Sequence, residues 1–168
     1  GLETGYRQIH CLMRFLHKYV PGFEDARLSA IAPSLGVRET RHFEGVYRLT
    51  RQEMYSDYVR ENAIAQSAYN IDIHSGVKDH IDLTPISKPF GIPYGCLVPR
   101  DMNGLLLSGR TISVDTETYA SVRVMGPCIA VGEATGEAAA MAIDQDCEVR
   151  DVNVQELRER LRQNGNLF

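Results

Sequence analysis

Residues 104–143, GLLLSGRTISVDTETYASVRVMGPCIAVGEATGEAAAMAI, decide how this chain is built. Leu105-Leu106-Leu107 is short and apolar on every side, the pattern of a buried strand. A polar loop opens at Ser108-Gly109-Arg110, and a helix is predicted near 127–143, beginning at Gly126-Pro127 with a proline suited to its first turn. Cys128, Gly132, Gly136 and Ala140 stand four apart and share one face of that helix. Each interior glycine costs roughly 1 kcal/mol relative to alanine, so two on one face predict that a backbone or a ligand comes close there. Glu133 and Glu137 exclude the membrane version of this small-residue pattern. The start of such a helix carries unpaired N–H groups and a partial positive charge, which suit a carbonyl or anionic edge.

Upstream, Ile9, Leu12, Met13, Leu16 and Val20 repeat at helical spacing until Pro21-Gly22, which predicts an amphipathic helix over residues 4–20. A short second helix is expected over 23–31. Thr50 followed by Glu53 has the form of a capping box and places a third near 51–62. Residues 45–49, 65–73 and 92–98 carry β-formers between turns rich in Gly, Pro and Asp, and read as strands. Asn153 with Glu156 marks the start of a terminal helix bearing Val154, Leu157 and Leu161. The pattern divides the chain into a helical segment (1–34), a mostly antiparallel β region (35–103), the strand-loop-helix (104–145) and a terminal helix (146–168). The expected fold class is α/β in the broad sense, a mixed α+β fragment.

With 168 residues and 43% hydrophobic side chains, the chain can bury one domain-sized core. The formal charge of −4 comes without a basic stripe, which argues against nucleic acid as a partner. Cys11, Cys96, Cys128 and Cys147 form no C-x-x-C pair, so neither a zinc ribbon nor a dense disulfide framework is expected, and a reducing, cytoplasmic setting fits. No apolar run approaches the ~20 residues of a membrane span, and no leader opens the chain, although a signal upstream of Gly1 would lie outside this sequence. Nowhere do two glycines stand one residue apart, so the G-x-G-x-x-G turn that cradles a dinucleotide pyrophosphate is not among these residues.

Five blocks then fall in a recognisable order: Ile92-Pro93-Tyr94, Leu97-Val98-Pro99, Gly104-Leu105-Leu106, Gly109-Arg110-Thr111-Ile112-Ser113 and Ala120-Ser121-Val122-Arg123-Val124-Met125. Leu35-Gly36-Val37-Arg38-Glu39-Thr40-Arg41 and Ile71-Asp72-Ile73-His74 add two more upstream. In order and spacing the series resembles the C-terminal region of a family of FAD-dependent oxidoreductases, over residues 20–143. That resemblance implies a two-part flavoprotein in which an N-terminal βαβ unit, missing from this sequence, holds the ADP half of FAD. The present chain would supply the closing segment of the Rossmann-like domain and most of a substrate-side domain. By itself it is not expected to bind FAD tightly or to be active.

The same resemblance implies that Gly109 and Arg110 lie beside the FAD diphosphate or ribityl chain, and that Ser121, Val122, Arg123, Val124 and Met125 approach the flavin ring. It puts Arg38, Glu39, Arg41, Asp72, His74 and Tyr94 on the substrate side, with Arg38, Arg41, His74 and Tyr94 as catalytic candidates for hydride transfer from a small substrate to flavin. Two departures stand out. Gly95 follows the Ile92-Pro93-Tyr94 block where many relatives have arginine, and Thr116 stands three residues after Ser113 where many have histidine. Two other readings use the same residues. Asp72, His74, Asp79, His80 and Asp82 form a polar cluster that would serve a metal-dependent hydrolase or lyase, although its spacing matches no standard zinc or calcium loop. Alternatively the chain is a binding or assembly module without chemistry. Self-association through a surface that normally meets the missing unit is expected of the fragment.

Overall fold

In the computed structural model, which describes residues 1–39, 41–74 and 81–168, the chain divides into two units, Gly1–Arg38 and Glu39–Phe168. The first is built on the predicted amphipathic helix, α1 (Leu2–Tyr19), with Glu3 in its first turn and His17 and Lys18 in its last, as the helix dipole favours. Ile9 and Met13 share an apolar groove of about 380 Å³ with Leu28, Ile31 and Leu35 of the tail that follows. The helix expected over 23–31 does not form: turns at 21–25 lead into non-helical chain. Pro33 disfavours helical geometry at Ala32, and Pro21-Gly22 breaks the chain on the other side.

In the second unit the polypeptide leaves short, pinned tracks before it forms regular elements. Residues expected to be a strand over 45–49 make only isolated bridges, Gly45 to Pro99 and Leu49 to Val114. Backbone bonds from Val46 to Val98 (2.8 Å), Tyr47 to Gly95 (3.1 Å) and Arg100 to Glu44 (3.0 Å) still hold residues 44–47 against 95–100. The Thr50-Glu53 signal folds into a turn: the threonine hydroxyl donates to the Glu53 carboxylate at 2.9 Å, so it caps no backbone N–H. Helix α2 (Asp57–Asn62) therefore starts later, where Ser56 accepts from the Val59 N–H.

Four short strands follow: β1 (Ala63–Ser67), β2 (Ile71–His74), β3 (Ile81–Thr84) and β4 (Phe90–Pro93). They pair antiparallel as β1 with β4 and β2 with β3, giving two two-stranded sheets. The single strand expected over 65–73 is thus split at 68–70 between two sheets, and the one expected over 92–98 ends at Pro93 in a 3₁₀ turn, Tyr94–Cys96. Residues 105–107 join no sheet. Among the described residues their backbone link is the Leu107 N–H to the Leu97 carbonyl, 2.7 Å, and a strand without a laterally bonded neighbour is only extended chain.

After a 3₁₀ turn at Gly109–Thr111 come α3 (Thr116–Val122), α4 (Met125–Asp144) and, past a further turn at Val149–Asp151, α5 (Val154–Gln163). Helix α3 falls inside the stretch expected to be loop; its signal was Asp115, which caps it by accepting from the Thr118 N–H at 2.8 Å. Helix α5 starts at the predicted Asn153 cap, which accepts from the Gln155 and Glu156 N–H groups. Both α4 and α5 pack on β1, and α4 turns Val131, Ala134, Ala138 and Met141 into the core with Leu157 and Leu161 of α5.

Arg158 ties α5 to α2. It is 8% exposed, and its guanidinium donates to the carbonyls of Arg60 (3.1 Å) and Glu61 at the end of α2, acceptors the helix itself cannot satisfy. Burial pulls its pKa down, yet an arginine remains charged throughout the physiological range. Arg158→Met is expected to cost about 1–3 kcal/mol in urea denaturation, because two carbonyls lose a charged donor. A loss within 0.5 kcal/mol would show that water replaces it.

The class is mixed α/β with small antiparallel sheets, as expected. No helix among the described residues is long and apolar enough to cross a membrane.

Candidate functional site

The segment 108–126 is fastened on both sides before it reaches α4. Phe43 N–H donates to the Thr111 carbonyl (3.3 Å), Ser113 N–H to Cys96 (3.0 Å), Leu49 N–H to Ser113 (3.1 Å) and Asp115 N–H to Leu49 (3.0 Å). Its turn depends on Gly109, whose φ of +61° is a left-handed conformation that side chains disfavour. The 109–111 turn packs against α4. Burial raises the pKa of the Tyr119 hydroxyl and of the Cys128 thiol, while the Arg110 charge pulls both back, so its field reaches α3 and the first turns of α4.

The residues expected near a flavin ring divide into two groups. Ser121 is buried, its hydroxyl donating to the Tyr69 carbonyl and lying 3.0 Å from the Ser67 hydroxyl, and Val122 is in the core. Arg123 bridges α3 to β2, donating to the Asp72 carbonyl at 3.0 Å and to its carboxylate at 3.4 Å. These three hold the protein together. Val124 and Met125 instead form the start of α4, with Val124 as N-cap and Met125 81% exposed.

That helix start has no side-chain cap and no acidic residue in its first turn, and Pro127 contributes no N–H. A Cβ added at Gly109, Gly126 or Gly136 would meet nothing within 4 Å, and at Gly132 only the Ser108 hydroxyl oxygen, 3.8 Å away. The close approach expected along Cys128, Gly132, Gly136 and Ala140 is therefore not made by any described residue. The α4 face that includes Met125, Ile129, Gly132, Gly136, Ala140 and Ile143 is apolar and exposed. An open helix start, a glycine turn and a nearby arginine fit a flat cofactor edge that carries carbonyl or phosphate oxygens.

Arg38 belongs to the first unit and Arg41, exposed, to the second. Tyr94 is 3% exposed and donates its hydroxyl to the Val149 carbonyl at 2.6 Å; burial raises its pKa further, which leaves the phenol neutral. His74 ends β2, but its side chain, that of Asp82, Asp79, His80 and Thr40 all lie outside the described residues. Asp72 faces Arg123, and among the described residues no group of three His, Cys, Asp or Glu is placed to hold a metal. The four cysteines are free thiols; the buried Cys96 is pushed by burial up to about 12.

Sequence reasoning missed His42. Its Nε2 lies 3.0 Å from the Glu39 carboxylate and its ring meets the edge of Tyr119 at 4.5 Å between centroids. Glu39 and His42 are three apart, a spacing visible in the sequence but overshadowed by the charged string beside it.

The chain belongs to the FAD dependent oxidoreductase family, whose model matches residues 2–161. It is thus a member of a flavoprotein oxidoreductase family whose cofactor is FAD. Comparison with curated proteins and with solved structures gives no significant match.

Proposed function

We propose that the chain is the C-terminal portion of an FAD-dependent oxidoreductase, closing the flavin site over a cofactor whose ADP half is held by a dinucleotide-binding unit encoded upstream. The observation that carries this reading is the uncapped, acid-free start of α4 beside the Gly109–Thr111 turn, facing open space. Residues 104–145 act as the closing segment and 35–103 as the substrate side. Gly109 lets the chain pass close to the cofactor, Arg110 supplies positive charge toward its phosphates, and the free N–H groups of Met125 and Gly126 face the flavin carbonyls. Ser121, Val122 and Arg123 act from behind, fixing α3 so that Val124 delivers the helix start in place. When bound, the flavin supplies a two-electron acceptor for hydride from a small substrate. Arg38, Arg41 and His74 are proposed to face that substrate; the Tyr94 hydroxyl, spent on Val149, supports the shape of the site.

The test is the visible absorption spectrum of the protein purified from the whole reading frame, with everything encoded upstream of Gly1. A flavin band that stays with the protein through gel filtration is expected. A colourless protein that takes up no FAD, from a frame with no G-x-G-x-x-G upstream, would overturn the proposal and leave a binding module.

A further inference from the structure

The bonds that fasten residues 43–49 to 111–115 leave a cleft of about 250 Å³ between them, lined by Glu39, His42, Arg48, Ser113, Val114 and Thr116. Pockets for drug-sized ligands run from about 300 to 1,000 Å³, so this one suits a small molecule.

Its charges decide what kind. Two carboxylates reach the cleft: Glu39 lies 3.0 Å from the His42 Nε2, and Glu44, also on its wall, is ion-paired with Arg100 at 3.1 Å. Arg48 makes no ion pair and no side-chain hydrogen bond among the described residues, so one guanidinium on the cleft wall is open to a ligand. A ligand carboxylate can take the fork of that guanidinium in two parallel bonds. Thr116, exposed at the first position of α3, lines the same cleft. The His42 imidazole, also in the lining, is held at two points, by Glu39 and by an edge contact with the Tyr119 ring, while its buried Nδ1 has no hydrogen-bond partner. With Nε2 on Glu39 and Nδ1 buried, the imidazole holds the Glu39 carboxylate in place, and that carboxylate can accept from a ligand hydroxyl.

We infer that this cleft is the substrate subsite of the proposed oxidoreductase and takes a small hydroxy acid, its carboxylate on Arg48 and its hydroxyl toward the His42–Glu39 pair. The inference rests on the reading of the chain as the substrate-side part of a flavoenzyme, and it names the substrate class that reading leaves open.

The test needs no flavin. Binding of 2-hydroxybutyrate to the 168-residue chain is followed by nuclear magnetic resonance and calorimetry, with 1,2-butanediol and butyrate as the probes that lack the carboxylate and the hydroxyl. Saturable binding of 2-hydroxybutyrate, ahead of both, is expected. Arg48→Gln should weaken it about tenfold or more, the loss of a charge-assisted pair, and because Arg48 is exposed the variant keeps the wild-type circular dichroism. His42→Phe, which keeps a ring against Tyr119, should erase the preference over butyrate. Equal binding of the diol, unchanged affinity in Arg48→Gln, or no saturation by 2-hydroxybutyrate up to 50-fold above the roughly 1 mM upper range of common substrate constants would overturn the inference. A failure here leaves the flavin band of the whole protein untouched, and a colourless whole protein leaves this titration untouched, so the two readings fall separately.

Discussion

Gly45→Val is expected to cost about 3 kcal/mol or more and to leave the second unit largely unfolded at moderate urea. A Cβ at position 45 would lie 2.8 Å from the Gly95 carbonyl oxygen, 2.8 Å from the Ser113 Cβ and 2.9 Å from the Tyr47 carbonyl oxygen. None of these is the end of a flexible side chain. Each belongs to a track already fixed by backbone bonds, Tyr47 to Gly95 on one side and Leu49 to Ser113 on the other, so relief at one contact breaks another. Urea denaturation followed by tyrosine fluorescence measures the loss. Stability within 1 kcal/mol of the wild type would mean that the 45–49 track parts from its neighbours easily, and the cleft built on it would then be loosely defined.

The second large effect concerns the flavin. In the protein expressed from its whole reading frame, Met125→Asp is expected to weaken FAD retention by about tenfold or more, on the order of 1.4 kcal/mol, because a carboxylate at the start of α4 repels the carbonyl edge proposed to sit there. The same substitution should make the 168-residue chain slightly more stable, by about 0.3–1 kcal/mol, since an acidic residue in the first turn complements the helix dipole. The opposite signs separate the roles. Equilibrium dialysis against FAD measures one and thermal unfolding the other. A variant with raised melting temperature and unaltered FAD affinity would show that the start of α4 does not meet the cofactor.

What was legible in the sequence, and what was not, follows from how far each signal reaches. Asn153 acts on backbone groups two and three residues away, and α5 starts where it says. The strictly spaced apolar residues of α1 likewise needed no distant partner to be recognised. By contrast, Leu105-Leu106-Leu107 has the composition of a buried strand, but a ladder is a property of two chains, and one segment's composition cannot supply the other. The Thr50-Glu53 pair failed for a subtler reason: the hydroxyl can donate as well as accept, and here it donates to the carboxylate, leaving the cap to Ser56. The site shows the same division. Family blocks singled out Gly109, Arg110 and the 121–125 run as cofactor candidates. The cleft at His42 and Arg48 depends on bonds between residues 43–49 and 111–115, some 60 positions apart, which no local pattern announces.

Gly95 gains a different significance from its neighbour. A Cβ there would lie 2.8 Å from the Cβ of Tyr47 and 3.4 Å from its backbone nitrogen. The obstacle is the first carbon of the tyrosine, not its ring, so trimming Tyr47 to alanine would not make room. An arginine at 95, which the family resemblance leads one to expect, would therefore force the backbone around Tyr47 to move. A side chain at 95 and any Cβ at 47 compete for the same space, so the two positions are coupled through the backbone and not through the ends of their side chains.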